Sequence, residues 1–411
     1  RPTESPTLFL QQLGRGLRRA DQKSLCTVLD FVGRQHEEFR FDRKYRALLG
    51  GTRRELEEQA QRGFPLLPAG CTLQLDGDAS AQVLASLKRA LPSKSATLER
   101  ELRALAAAGE RPTLQRFLRE TGLELEELYG GQRSWTNLLR AAELCPEAVP
   151  EHAESERTLL RALARWLHVD DTLRLEAAQR FLERERPPRA EELAPLERRL
   201  FRMLVSAIVG EAVPKGTSLD DGAALLWQHG QVRAELLELL PCLEARRERS
   251  NTELRTHPEV PLRIHARYTR SELTAAFGLG DGARSEGWQQ GVRWIPEAAA
   301  DLFTFTLDKT KGNFSPTTRY RDYAISRELI HWESQSVTRA DSETGRRYRE
   351  HAQRGSSIFL FARRDTQERA FTFLGPADYV SSESERPIRF VWKLRVPLPA
   401  ELFAAYAAAV A

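Results

Sequence analysis

An α+β chain of several domains is the architecture this sequence predicts, and three observations predict it. At 411 residues the chain is too long for one compact core. Its apolar periodicity changes twice, from an apolar run followed by a helix, to helical spacing, to short alternating runs. Proline and glycine fall at the changes. The expected parts are an α/β lobe remnant over 1–52, an all-α middle domain over 53–257, and a β-rich, barrel-like domain with short helices over 258–411.

In the first part, Leu25 to Val32 has the mostly apolar character of a buried strand, and Gln35 to Leu49 carries helical spacing. In the middle, helices are expected at Ala79 to Ala90, Ala96 to Ala108, Thr113 to Thr121, Ser134 to Leu144, Glu154 to Trp166, Asp171 to Glu183, Ala190 to Val209, Asp220 to Trp227 and Gln231 to Arg249. Breakers such as Pro92, Pro112, Pro146, Pro187-Pro188 and Pro214 separate them. Trp135, Trp166 and Trp227 occupy apolar helical positions and read as core. Thr113 to Tyr129 has the outline of a helix-turn-helix around Gly122, a pattern any two short helices about a glycine produce.

In the last part, Thr269 with Glu272 three residues on forms a capping box opening a helix that Gly278 ends. Strands are expected at Gly291 to Ile295, Leu302 to Leu307, Glu328 to Gln335, Ser357 to Ala362, Ala370 to Leu374 and Ile388 to Val396. Six or so short strands suggest a partly closed barrel or curled sheet.

The net charge of +4 is concentrated in the two ends, while the middle is slightly acidic. Basic lobes favour phosphate backbones through counterion release. Cys26, Cys71, Cys145 and Cys242 are scattered without C-x-x-C spacing, so neither a zinc site nor a disulfide framework is expected, and no metal ligands are assigned. No apolar run is long enough for a membrane span and no signal segment opens the chain, so a cytoplasmic protein without membrane partners is expected.

Two motifs carry chemistry. Gln11, Gly14, Arg15 and Arg18 spell Q-x-x-G-R-x-x-R just before the apolar run, which resembles the sixth signature block of superfamily 2 helicases and marks the first part as the end of a RecA-like lobe. In such motors guanidinium groups neutralise the charge developing on a transferred phosphoryl group. That resemblance implies Arg15 and Arg18 as ATP-site arginines with Gln11 holding geometry. No G-x-x-x-x-G-K-[ST] loop is present, so ATP and Mg are expected only for a longer, intact motor whose partner lobe lies upstream, and no cofactor for this stretch alone.

The second motif runs Ser315-Pro316-Thr317-Thr318-Arg319-Tyr320-Arg321-Asp322-Tyr323, then His331-Trp332-Glu333. Together with Phe359-Leu360-Phe361, Phe373-Leu374-Gly375-Pro376 and Trp392-Lys393-Leu394 it resembles the C-terminal domain of unknown function attached to superfamily 2 helicases, including SauUSI-like type IV restriction enzymes. The resemblance implies a three-part machine: an upstream phospholipase D-like nuclease, a helicase motor, and an end domain that reads double-stranded DNA bearing 5-methyl or 5-hydroxymethyl cytosine. Homodimerisation would come through the longer protein.

Such a modification can be sensed by extruding the base onto aromatic rings, at a cost of a few kcal/mol against about 1–3 kcal/mol returned per stacked base. Tyr320, Tyr323 and Trp332 are the candidate stackers, and Asp322 a candidate acceptor for the cytosine amino group. Arg319, Arg321, Lys309 and Lys311 are candidate phosphate contacts, with Ser315, Thr317 and Thr318 adding neutral hydrogen bonds. Each aromatic also fits burial in the core. On a strand Tyr320 and Asp322 would face one side and Tyr323 the other, so one pocket requires a loop there. His331 lacks a nucleophile or metal-ligand spacing beside it and reads as a DNA contact or a hydrogen-bonded strand residue. DNA binding rather than catalysis is therefore expected, with protein assembly or an unspecific DNA grip as the rival roles.

Overall fold

The structure is a computed structural model that describes isolated positions between 11 and 84, then 95–107, 109, 111–121, 123–247, 251–285, 287–288, 290–308 and 322–410. It divides into two compact units, Arg1–Pro112 with Arg116–Leu128, and Thr113–Gln115 with Tyr129–Ala411.

In the first unit a small core joins Tyr45, Leu56, Ala60, Phe64 and Val83, with the Tyr45 and Phe64 rings stacked at 6.0 Å. Helix α1 (Ser95–Ala107) buries Leu98 and Leu102, four residues apart on one face. The expected strand over 25–32 is not formed at its three described positions. Thr27, Val28 and Leu29 have no regular structure, and Val28 and Leu29 are 50% and 74% exposed. A strand exists only through ladder partners, and none pairs with these residues among those described.

Helix α2 (Leu114–Thr121) and α3 (Leu125–Leu128) flank position 122. The second is one turn long, so the helix-turn-helix outline lacks a recognition helix able to lie in a groove.

The second unit opens with α4 (Trp135–Ala141), α5 (Ala153–Leu163), α6 (Thr172–Leu182), α7 (Pro195–Val209), α8 (Leu219–Gln228) and α9 (Gly230–Ala245). Side-chain caps start three of them: Ser134 accepts from Asn137 N–H, Asp171 from Arg174 N–H and Ser218 from Asp221 N–H. The single helix expected over 190–209 is a 3-10 turn, Ala190–Glu192, followed by α7 with Pro195 in its first turn. Trp135 and Trp166 are core, whereas Trp227 is half-buried, its indole N–H donating to Arg184 O at 3.0 Å.

The rest of this unit comprises β1 (Thr252–Glu253), β2 (Arg263–Ile264), β3 (Arg267–Tyr268), α10 (Arg270–Ala276), β4 (Val292–Ile295), β5 (Ala300–Thr306), β6 (Tyr323–Ala324), β7 (Leu329–Glu333), α11 (Glu343–Arg349), β8 (Ser357–Arg363), β9 (Phe371–Glu383), β10 (Arg389–Leu394) and α12 (Ala400–Val410). The capping box at Thr269 and Glu272 forms as expected. All six expected strands are present, and one is far longer: β9 runs straight through Gly375-Pro376. The register with β8 shifts there, and Gly375 takes φ +106 with Ile264 Cγ2 only 3.1 Å from where a Cβ would stand. The pair just beyond the expected strand end at Leu374 thus sits at a bulge within a longer strand.

Eight strands form one mixed sheet in the order β4-β5-β8-β9-β10-β7-β6, with β3 also paired to β9 and β5-β8 the parallel pair. It is not a closed barrel: β4 and β6 are its two ends and do not pair. It is nevertheless strongly curled, because Phe303 on β5 stacks on Trp332 on β7 at 4.2 Å although three strands separate them in the sheet. Inside the curl lie Phe305, Ile330, Leu360, Phe390 and Trp392, closed over by Tyr348 of α11 and by Leu402 and Tyr406 of α12.

Within the second unit, side-chain contacts cross the expected 257/258 boundary. Arg174 on α6 reaches α10 and the β3 strand, with Nη1 on Glu272 Oε1 at 2.7 Å and Nη2 on Arg267 O at 2.7 Å, while Nε meets Asp171. His168 Nε2 lies 2.6 Å from the other Glu272 oxygen, and Asp170 holds Arg267 through both N–H and Nε. Arg202 on α7 donates to Leu279 O and Gly282 O at 2.6 and 3.0 Å. Burial alone would push Glu272 up, but His168 and Arg174 outweigh it and hold this carboxyl well below the usual carboxylate range. A group whose pKa falls on folding contributes stability above its unfolded value, about 4.3 for Glu, and loses it as pH drops through that value towards the folded one. Urea midpoints taken from pH 7 to pH 3 should therefore fall below about pH 4.5 in the wild type; a Glu272→Gln variant that falls by the same amount would remove this carboxyl as the cause.

Candidate nucleic-acid interface

At one end of the sheet, β6, β7 and β10 are antiparallel neighbours. Strand alternation sends Ile330 and Trp332 into the core, so His331 and Glu333 project from the opposite face. Tyr323 is paired directly with His331, and His331 with Val391, which places all three on that face. The Tyr323 and His331 rings stack with centroids 4.6 Å apart and planes at 15°. Tyr323 is half-buried, whereas His331 is 9% exposed.

Asp322 immediately precedes this stack. It is 3% exposed and its Oδ1 accepts the Glu333 N–H at 3.0 Å, which fixes the carboxylate beside β7. Arg389 lies opposite Glu333 in the ladder, with Nε 3.6 Å from the Glu333 carboxylate and about half of its side chain exposed. Lys393 is exposed two ladder pairs beyond Val391 on the same face, and Asp378, which the register sets opposite it, pairs with Arg395 at 2.7 Å. The hydrogen bond from Arg395 holds Asp378 below its ordinary pKa. The face therefore combines stacked rings and exposed cations, with the buried Asp322 carboxylate held against β7 beside them. Such a set can take up a flat heterocycle with a donor edge and the phosphates next to it.

The expected site residues divide into three groups. Asp322, Tyr323 and His331 are brought together. Trp332 is corrected from base stacker to core: it is 4% exposed, lies flat against Phe303 and contacts the Tyr348 and Phe390 rings. Because side chains alternate along a strand, the neighbour of an outward His331 must point inward. Lys309, Lys311, Ser315, Thr317, Thr318, Arg319, Tyr320 and Arg321 lie outside the described residues, as does Arg18. Gln11 and Arg15 lie on exposed helical positions of the first unit. Arg389, Val391 and Lys393 were missed, although the alternating Arg-Phe-Val-Trp-Lys-Leu pattern carried the signal that these three share a face. No cluster of three or more metal-ligating side chains occurs among the described residues, and none of their helices is long and apolar enough to cross a membrane.

Residues 262–406 match the family model described as Domain of unknown function (DUF3427). The match runs from the start of β2 into α12, so it takes in the whole curled sheet and the helix that closes it. No curated protein matches the chain.

Proposed function

We propose, with the DUF3427 domain as premise, that residues 262–406 are the target-reading part of an ATP-dependent type IV restriction helicase. The domain takes double-stranded DNA carrying 5-methyl or 5-hydroxymethyl cytosine and everts the modified base. The observation that carries this reading is the Tyr323–His331 stack next to the fixed Asp322 carboxylate. A carboxylate accepts from the exocyclic amino group of cytosine, whereas thymine presents a carbonyl oxygen there and is repelled. Stacking of about 1–3 kcal/mol together with that hydrogen bond offsets the few kcal/mol that extrusion costs. Arg389 and Lys393 supply phosphate contacts on the same face. DUF3427 occurs in helicase-associated proteins, and the Gln11, Arg15 and Arg18 motif belongs to the ATP- and Mg-dependent motor of the longer protein, with nuclease chemistry elsewhere in it.

The test is fluorescence anisotropy with three otherwise identical duplexes bearing plain, 5-methyl or 5-hydroxymethyl cytosine. The wild type should prefer a modified duplex by about tenfold, near 1.4 kcal/mol. Asp322→Asn keeps a carbonyl acceptor for the Glu333 N–H but turns a donor towards the base, and should erase the preference. Tyr323→Ala should weaken all modified-duplex binding by about 1–3 kcal/mol. Equal wild-type affinity for the three duplexes would replace the reading with an unspecific grip. Absence of binding at low salt, together with concentration-dependent dimerisation, would replace it with an assembly role.

A further inference from the structure

One imidazole stands inside the backbone ladder between β8 and β9. These strands pair antiparallel with Ile358 opposite Ala377, and continuing that register sets Tyr379 opposite Ser356, just before β8 begins. There His351, from the turn over 350–355 that follows α11, is interposed. Its Nε2 accepts the Tyr379 N–H at 3.2 Å, and its Nδ1 lies 3.2 Å from Ser356 O. The Ser356 N–H closes the turn by donating to His351 O at 2.8 Å, and His351 is 1% exposed.

Those partners fix the state of the ring. A backbone N–H only donates, so Nε2 must present its lone pair, and a carbonyl oxygen only accepts, so Nδ1 carries the hydrogen. The ring that relays this ladder is therefore neutral. A second proton, on Nε2, would point at the Tyr379 N–H, in a place already short of acceptors. The buried indole N–H of Trp392, whose ring centre lies 6.0 Å from that of His351, has no partner among the described residues.

The charges around His351 are committed to one another. Asp301 of β5 is held by Arg347 of α11 through both oxygens at 2.7 and 2.9 Å. Asp378 of β9 faces Lys393 of β10 in the ladder and pairs with Arg395 at 2.7 Å. On the turn itself Glu350 pairs with Arg354 at 2.8 Å. Burial lowers the pKa of His351 from its ordinary value; the Ser356 carbonyl, Asp378 and Asp301 act to raise it and Arg395 to lower it, and burial prevails.

We infer that His351 is an acid-released latch: neutral, it closes the β8–β9 ladder at Tyr379, and on taking a proton it leaves the ladder and frees the turn over 350–355. A base whose pKa falls on folding contributes stability above its unfolded value, about 6.5 for His, and loses it as pH drops through that value towards the folded one. Release gives the Tyr379 N–H and the Ser356 carbonyl to water, so the opening is local to this end of the ladder.

The experiment uses the full chain labelled with nitrogen-15 histidine, followed by long-range proton–nitrogen correlation from about pH 8 to pH 5, with His351 assigned by its loss in His351→Gln. Deuterium exchange of the peptide holding Tyr379 is measured over the same range and corrected for the intrinsic pH dependence of exchange. His351 should be the neutral Nδ1–H form near pH 7.5, and its protonation should lower protection at Tyr379 at least tenfold. Glutamine can both donate to Ser356 O and accept from Tyr379 N–H but does not titrate, so protection in His351→Gln should change less than twofold. Where that variant does not fold, the wild type alone decides, through an Nδ1–H histidine whose protonation coincides with exposure of Tyr379. An Nε2–H ring at neutral pH, exchange at Tyr379 that follows no such histidine, or equal loss of protection in wild type and variant would overturn the latch.

Discussion

Arg174→Ala is expected to lower the unfolding free energy of the Tyr129–Ala411 unit by about 3–5 kcal/mol. Arg174 is 4% exposed, and its guanidinium is shared by Asp171, Glu272 and the Arg267 carbonyl. Burial on its own would lower its pKa, but Asp171 and Glu272 reverse that and raise it. Truncation leaves Asp171, 0% exposed, without its cation and Glu272, also 0% exposed, with His168 alone as a cationic partner. The penalty is that of uncompensated buried charge rather than of a lost surface pair, which is worth at most about 1 kcal/mol. Urea denaturation at pH 7 measures it. Arg174 ties α6 to α10, so one cooperative transition in the wild type should separate into two in the variant, or the whole unit should unfold at lower urea. A loss under about 1 kcal/mol would mean that water reaches the network, contrary to its burial.

Trp332→Ala carries the second large effect, again about 3–5 kcal/mol of stability. The ring fills the inside of the curl between Phe303, Tyr348 and Phe390, so its removal leaves a large cavity among those rings. Tyr323→Ala removes a half-buried ring from the other face and should cost far less stability. The two variants therefore separate folding from recognition: a thermal melt should register mainly the first, and duplex anisotropy, on protein shown to be folded, mainly the second. If Trp332→Ala melts with the wild type while Tyr323→Ala unfolds, the assignment of inner and outer faces of β7 is reversed.

Much of the local structure was legible in the residues. Ser134, Asp171, Ser218 and Thr269 each start a helix with a side-chain acceptor, and the alternating runs at 292–295, 300–306, 329–333, 357–363 and 389–394 became strands. These signals lie within a few residues of the structure they specify. The β9 strand was half legible, because Gly375-Pro376 has the same local chemistry at a strand end as in a bulge, and Ile264, far away in sequence, packs where a Cβ at position 375 would stand.

By itself, then, the sequence determined the α+β character, most of the helix starts, six of the sheet strands and the gathering of aromatics and cations in the last 150 or so residues. Tertiary structure alone decided that the sheet curls without closing, that helices and sheet share one unit through Arg174 and Glu272, and that Trp332 faces the core while Tyr323 and His331 share the other side with Arg389 and Lys393. The physical reason is range. Periodicity and capping act between residues close along the chain, whereas strand register, curl and buried charge pairing join residues up to about a hundred positions apart, and a one-residue slip of register would exchange every inward and outward side chain.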